Sequence, residues 1–367
     1  MIDPRATLHT TRHIFRRGLI DTLSTFSALP RSEGGVVSCR HPPRHQGRRL
    51  AQSRARSVAW RWIATRHYGH RIPQLQTKPR QCYSLHITYN YGGQKYVMSR
   101  VRKETGRVPF QHQFNITQRL HNAGLKVVHP AVAPTSQAQD APWVEWRTHY
   151  WFVRKFIEHV PIPDWSSQDL IDDVAVWLAK IHRATTLFEG GLESSPEVVT
   201  SYDWPLLTVL DRSAELLRGM EERHLSGTYI AMVRRGLQRL ERERLDLNLG
   251  PVGLIHQDVR PENVLVQNGK VAAVIDWDRA RWDYHLYDAV VGALNLAHRQ
   301  APGRWIEVAS RFLCAYRDES DAEFDENSVA WMIRFAATRN LAVSRSPDKW
   351  AALLQNVTNT PNSVTVR

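Results

Sequence analysis

Residues 254–266 read Leu-Ile-His-Gln-Asp-Val-Arg-Pro-Glu-Asn-Val-Leu-Val, and after a short spacer residues 273–278 read Ala-Val-Ile-Asp-Trp-Asp. His256, Asp258 and Asn263 form an H-x-D-x-x-x-x-N element, and Asp276 closes a second apolar run. Two carboxylates and an amide oxygen, presented on loops after short strands, suit transfer of a phosphoryl group to a hydroxyl. One carboxylate accepts the proton of the attacking oxygen. The other two groups hold Mg²⁺ against the phosphates of ATP.

Each residue type matches a separate task. Asp258 follows an apolar strand on a loop, where it can orient and deprotonate a hydroxyl, a step worth ~10²–10⁴-fold. Asn263 comes after the Pro261 turn, and its amide oxygen suits a hard cation. Asp276 ends the strand expected over Val271–Ile275 and bridges metal to phosphate. Arg260, two residues past the base, is a cation for charge on the transferred group. His256 reads as a brace for the loop. An Asp before an Asn in a turn is by itself ordinary turn chemistry. The flanking apolar strands, Pro261 and the nearby Ile-Asp-Trp end favour the catalytic reading.

These loops need a scaffold, and the pattern around them is α+β, with strands first and helices after. Residues 58–68 read as a short helix. Tyr83–Tyr89 and Lys95–Arg102 alternate as strands around the turn Asn90-Tyr91-Gly92-Gly93. Phe110–Ala123 has helical spacing and stops at Gly124. A strand over Tyr150–Ile157 precedes a Pro-containing link. Ser166 with Asp169 resembles an N-cap box for a helix whose buried stripe is Leu170, Val174, Trp177, Leu178 and Ile181. Further helices are expected over Pro205–Glu222, Thr228–Leu245, 285–300, 303–317 and 327–343. Strands Gly253–Ile255 and Val271–Ile275 carry the motif. The expected division is an extension at 1–57, a sheet-bearing lobe at 58–157, a helical lobe at 158–345 and a flexible tail at 346–367.

Composition narrows the class. With 42% hydrophobic and 23% charged residues over 367 positions, the chain can bury a large two-lobed domain. No apolar run approaches the ~20 residues of a membrane-spanning helix. Cys39, Cys82 and Cys314 are too scattered for a disulfide framework or a metal site, so a reducing, cytoplasmic setting is expected. The net charge of +13 sits in residues 1–82, which hold 16 Lys and Arg against 3 Asp and Glu. The remaining 33 basic and 33 acidic residues cancel, which argues against a nucleic-acid surface on the folded body.

Residues 1–57 are Arg-rich, lack Lys and show poor apolar periodicity, the composition of a disordered segment. Three accounts fit it: a targeting peptide, a basic arm for nucleic acid or anionic lipid, and sequence from an over-extended reading frame. The third is the simplest, because the body needs none of this segment, although no Met lies between Met1 and Met98.

Leu254–Asp278 resembles the motif region of the aminoglycoside phosphotransferase and choline kinase family, the small-molecule branch of the protein-kinase-like fold. Tyr68–Arg102 is similar to that family's opening hairpin, Leu120–Leu125 to its helix end, and Trp177-Leu178-Ala179-Lys180-Ile181-His182 to its helix before the catalytic loop. Tyr287-Asp288-Ala289 resembles the helix after the metal Asp, where the Asp is structural. The resemblance spans about residues 59–345. It implies a small N-terminal lobe with an antiparallel sheet, a larger helical C-terminal lobe, and an ATP- and Mg²⁺-dependent kinase acting on a small-molecule hydroxyl. Asp258 and Arg260 would be catalytic and Asn263 and Asp276 metal ligands. The adenine would dock on the backbone of Lys155, Phe156 and Ile157.

The N-terminal half departs from the family. The strand Lys or Arg that usually faces the phosphates is replaced by Ser99, and its helix Glu by Gln113. Arg100 is adjacent, but period-2 alternation turns it to the other face unless the strand bulges. It is carried as a candidate phosphate ligand beside the alternative of an exposed strand-edge charge. No Gly-rich phosphate loop is recognisable. The acidic segment Asp318–Glu326 could receive a cationic substrate or cap the next helix. Trp277 and Trp282 are near enough to the motif to line a pocket. A protein kinase is the first rival reading, opposed by Asp276-Trp277-Asp278 in place of Asp-Phe-Gly. A nucleotide-binding pseudokinase is the second, motivated by Ser99 and Gln113.

Overall fold

The structure, a computed structural model, describes residues 58–72, 84–102, 107–135, 141–160, 163–186, 204–244, 247–298, 304–320, 322–344 and 347–358. The basic extension 1–57 lies outside them, as do Cys39 and Cys82. The chain divides into two compact units after Glu158.

The first unit is a four-stranded antiparallel sheet with a helix on each face. Helix α1 covers residues 58–68. Strands β1 (Ser84–Tyr91) and β2 (Gln94–Arg102) form the expected hairpin. Its turn uses Gly92 and Gly93 at φ +56° and +76°, values that favour glycine. Helix α2 (Arg107–Asn122) ends where Gly124 takes φ +77°. The Leu125 N–H bonds Leu120 O at 3.1 Å and the Gly124 N–H bonds His121 O at 2.9 Å, a Schellman cap. Strands β3 (Val144–Trp146) and β4 (His149–Lys155) complete the order β1-β2-β4-β3. Strand β3 has three residues, too few to show alternation, and the sequence reading passed over it.

Period-2 alternation sorts this sheet into two faces. Ile87, Tyr89, Met98, Trp151 and Val153 pack with Trp60, Ile63 and Tyr68 of α1. Phe152, Tyr150 and Val101 pack on the other face with Phe114 of α2 and with Trp143.

The second unit is mostly helical. Helix α3 (Gln168–Thr186) buries the whole predicted stripe. Its start differs from expectation. Ser166 bonds back to Asp164 through both its N–H (2.9 Å) and its hydroxyl (2.6 Å), so it does not cap the helix. The expected helix Pro205–Glu222 is two, α4 (Leu206–Asp211) and α5 (Ser213–Glu222), because Arg212 leaves helical geometry at φ −102°, ψ 31°. Helix α6 (Gly227–Glu243) follows, capped by the Ser226 hydroxyl.

Four short strands come next: β5 (Val252–Ile255), β6 (Val264–Gln267), β7 (Lys270–Val274) and β8 (Arg281–Tyr284). They pair as two ribbons, β5 with β8 and β6 with β7. The sequence reading foresaw β5 and β7 only, since β6 and β8 gain their identity from their partners. Helices α7 (His285–Ala297), α8 (Trp305–Glu319) and α9 (Glu326–Val343) form the core behind them. The expected tail is corrected in part: residues 347–358 form helix α10 (Pro347–Thr358), which buries Trp350, Ala351, Leu353 and Leu354.

Candidate active site

Strand β5 delivers the chain to the motif loop, and α7 holds that loop in place. Asp288 of α7, fully buried, accepts the backbone N–H of His256 (Oδ2, 2.7 Å) and of Gln257 (Oδ1, 2.7 Å). One turn on, Gly292 lies against Phe312 and Val259, whose nearest atoms an added Cβ would meet at 3.3 and 3.5 Å. At the next turn, Asn295 Nδ2 donates to Val259 O at 3.0 Å. Asp288, Gly292 and Asn295 are spaced four and three residues apart, so one helical face grips the loop. Gln257 takes φ +69°, a conformation rare for a side chain with a Cβ. Arg281 of β8 donates to Gln257 Oε1 from behind the loop. Arg281 is in turn held by Asp283 Oδ2 (2.8 Å), whose two oxygens also accept the Leu206 N–H.

His256 is the brace expected. Its Nε2 donates to Ile275 O at 2.9 Å and its Nδ1 accepts the Asp258 N–H at 3.2 Å. That tautomer is the neutral one. Burial accordingly lowers the pKa, against the raising influence of Asp288, Asp258 and Asp276.

Asp258 is 8% exposed. Asn263 Nδ2 donates to its carbonyl oxygen (2.9 Å) and to Oδ2 (3.2 Å). Arg260 Nε lies 3.4 Å from the same Oδ2. Burial raises the Asp258 pKa above its ordinary value, while Arg260, Arg279 and His256 pull it back down. With Nδ2 committed to Asp258, the Asn263 Oδ1 is the atom left for a cation. The β6–β7 hairpin turns at Asn268-Gly269 and returns Ile275 to Asn263, whose carbonyl accepts the Ile275 N–H at 2.8 Å. Asp276 follows directly, exposed, in the left-handed region at φ 69°, ψ 58°. The described residues contain no group of three or more His, Cys, Asp or Glu able to hold a metal alone. One amide oxygen and one exposed carboxylate fit Mg²⁺, which takes few protein ligands and keeps phosphate and water oxygens.

The structure therefore brings His256, Asp258, Arg260, Asn263 and Asp276 together. The other candidates belong to the first unit. Arg100 is on the α1 face, its guanidinium 5.5 Å from the Trp151 ring and 5.9 Å from Trp60. Ser99 is on the α2 face, bonded to His86 Nδ1 at 2.7 Å. The Phe156 N–H bonds Lys95 O at 2.9 Å, so it is not free for an adenine, and Lys95 Nζ sits 3.8 Å above the Phe156 ring. Lys155 is exposed and Ile157 half-buried.

One substrate expectation is corrected, and the structure supports the capping alternative for the acidic segment. Trp277 is 1% exposed, packed on His256 with its Nε1 on Val274 O, so it lines no pocket. Asp325 caps α9 through the Ser328 N–H at 2.7 Å, and Glu319 pairs with Arg183. Sequence reasoning missed Arg281, Gln257, Gly292 and Asn295. The 4-and-3 spacing from Asp288 to Asn295 was the available signal.

The sequence profile of a phosphotransferase enzyme family matches residues 86–331. No curated protein matches the chain by sequence. Among solved structures, a thermostable mutant of aminoglycoside phosphotransferase APH(4)-Ia, in ternary complex with AMP-PNP and hygromycin B, superposes with TM-score 0.60. It is 15% identical, over 83% of this chain and 100% of that one. Amicoumacin kinase hAmiN in complex with AMP-PNP, Ca²⁺ and Ami gives TM-score 0.58 at 15% identity, over 86% and 95% of the two chains. A microcompartment-associated aminopropanol kinase gives 0.56 at 14%, over 82% and 94%. The shared fold is α+β and protein-kinase-like, with an antiparallel sheet before a helical part.

Proposed function

The chain belongs to the phosphotransferase enzyme family, and from that premise we propose that it moves the γ-phosphoryl group of ATP, with Mg²⁺, to a hydroxyl of a small molecule. The observation that carries this reading is Asp258, a buried carboxylate with an Oδ2 shared by Asn263 Nδ2 at 3.2 Å and Arg260 Nε at 3.4 Å. Asp258 accepts the proton of the acceptor hydroxyl. Its raised pKa makes it a stronger base than a solvated carboxylate, at the cost of a narrower pH range. The Asn263 clasp fixes the carboxylate's orientation, so no rotamer has to be frozen when the acceptor arrives. Arg260 balances the carboxylate beforehand and can turn to the transferred group, since nearly half of its side chain is exposed. Asn263 Oδ1 and Asp276 would hold Mg²⁺, which when bound neutralises charge on the phosphates. The sheet unit, residues 58–157, is assigned to the nucleotide and residues 158–345 to catalysis.

A second reading, nucleotide binding without turnover, draws support from Ser99, whose hydroxyl is taken by His86, and from α2, which has no acidic residue to steady a cation. Calorimetry with ATP, with and without Mg²⁺, followed by an ATP-consumption screen over amino alcohols, aminoglycosides, macrolides, sugars and homoserine, tests both. Turnover on a hydroxyl acceptor supports the kinase. Mg²⁺-dependent ATP binding with no turnover on any acceptor supports the second reading, and absence of ATP binding overturns both.

A further inference from the structure

The α2 face of the sheet holds a charge that the rest of the fold does not explain. On β4, Tyr150, Phe152 and Arg154 point to this face, and on β2 Val97, Ser99 and Val101 do. Arg154 pairs directly with Val97, so Ser99 is its diagonal neighbour, roughly 7–8 Å away between backbones. The Arg154 guanidinium sits between aromatic rings, its Cζ 4.7 Å from the Phe114 ring of α2 and 4.9 Å from that of Phe152. Its Nε and Nη2 are sealed from solvent and have no hydrogen-bond partner among the described residues. No carboxylate of α2 answers it, because α2 has none.

A buried guanidinium with two unpaired N–H donors is costly, and a bound anion would complete it. Burial lowers its pKa from the usual value to about 10, so it remains a cation at neutral pH. Once uncovered by a ligand, the Nε and Nη2 donors form the planar fork that matches phosphate oxygens. Resting on the phosphotransferase reading above, we propose that Arg154 is the cation that binds the nucleotide's phosphate groups, a role moved from β2, where Ser99 stands, to β4. Arg100 is the nearest alternative in sequence, but its stacking on Trp60 and Trp151 places it on the opposite face.

The test is equilibrium binding of ATP, ADP, inorganic tripolyphosphate and adenosine to the full chain and to Arg154→Met, Arg154→Lys and Arg100→Met. The expected result is a loss of roughly 10- to 100-fold in ATP and tripolyphosphate affinity for Arg154→Met. Adenosine affinity and the Arg100→Met variant should stay unchanged, and Arg154→Lys should recover part of the loss. Equal loss for adenosine and ATP, or no loss for ATP, overturns the assignment. Circular dichroism checks folding. Should the Met variant misfold, the Lys variant decides, because its single ammonium cannot form the two-donor contact and wild-type affinity in it refutes the role. Wild-type protein that binds none of the four ligands refutes the phosphotransferase reading itself, an outcome distinct from failure of Arg154.

Discussion

Asp288 accepts the backbone N–H of His256 at 2.7 Å, so a helix side chain replaces the strand partner that the motif loop lacks. The same carboxylate holds Gln257 and lies 3.2 Å from His182 Nε2, whose Nδ1 meets the Tyr316 hydroxyl at 2.8 Å. Removing it strands two buried N–H groups and a buried imidazole. Asp288→Ala should therefore cost about 3–5 kcal/mol. Urea denaturation checks this, and a loss below about 1 kcal/mol would show that the loop is held by other means.

Asp258→Asn keeps the volume of the side chain and removes its basicity. Turnover should fall by roughly 10²–10⁴-fold. ATP affinity should change by no more than about threefold, since the interaction lost belongs to the transition state. Single-turnover kinetics and calorimetry separate the two, and full activity in this variant sinks the assignment of the base.

Two buried carboxylates titrate in opposite directions, and this separates activity from stability in acid. Asp258 has a raised pKa, and only its ionised form accepts a proton. Activity should fall as pH drops through a value above the ~3.9 of a free Asp. Protonating it costs no fold stability, because the folded state binds that proton more tightly than the unfolded chain does. Burial pushes Asp288 up, but the hydrogen bonds it accepts from His182 and from the His256 backbone N–H more than offset this and its pKa is lowered. Its stabilising contribution is present above the unfolded pKa and is lost as pH falls through the lower folded one. A pH profile of kcat/KM should therefore decline before circular dichroism shows unfolding. Coincident transitions would contradict the sign of one shift.

Gly253 in β5 packs against the imidazole of His285. A Cβ there would overlap Nε2 and lie 2.9 Å from Cε1. His285 cannot readily move, because it stacks on His182 with ring centroids 4.2 Å apart and planes 7° apart. Burial and the neighbouring His182 push its pKa down to about 2, so it stays neutral. Gly253→Ala should destabilise by about 1–3 kcal/mol, read as a lowered midpoint in thermal or urea unfolding. An unchanged midpoint would mean the β5–α7 packing relaxes freely.

The candidate site of this protein was largely legible in one stretch of sequence. Asp258, Asn263 and Asp276 were identifiable because their spacing is local: a strand, a turn and a hairpin bring them together within 19 residues. Helix stripes such as Leu170 to Ile181, and the Gly92-Gly93 turn, were equally legible, since 3.6-residue periodicity and positive φ are written in neighbouring residues. Tertiary structure decided what depends on distant partners. It made strands of β6 and β8, split the helix at Arg212, ordered α10 against the core and buried Trp277. It set Arg281 behind Gln257, joining residues that only the β5–β8 pairing makes adjacent. It also placed Arg154 on the face of Ser99 and Arg100 on the other. Alternation along one strand tells which residues share a face, but only the register between β2 and β4 tells which cation stands beside the serine.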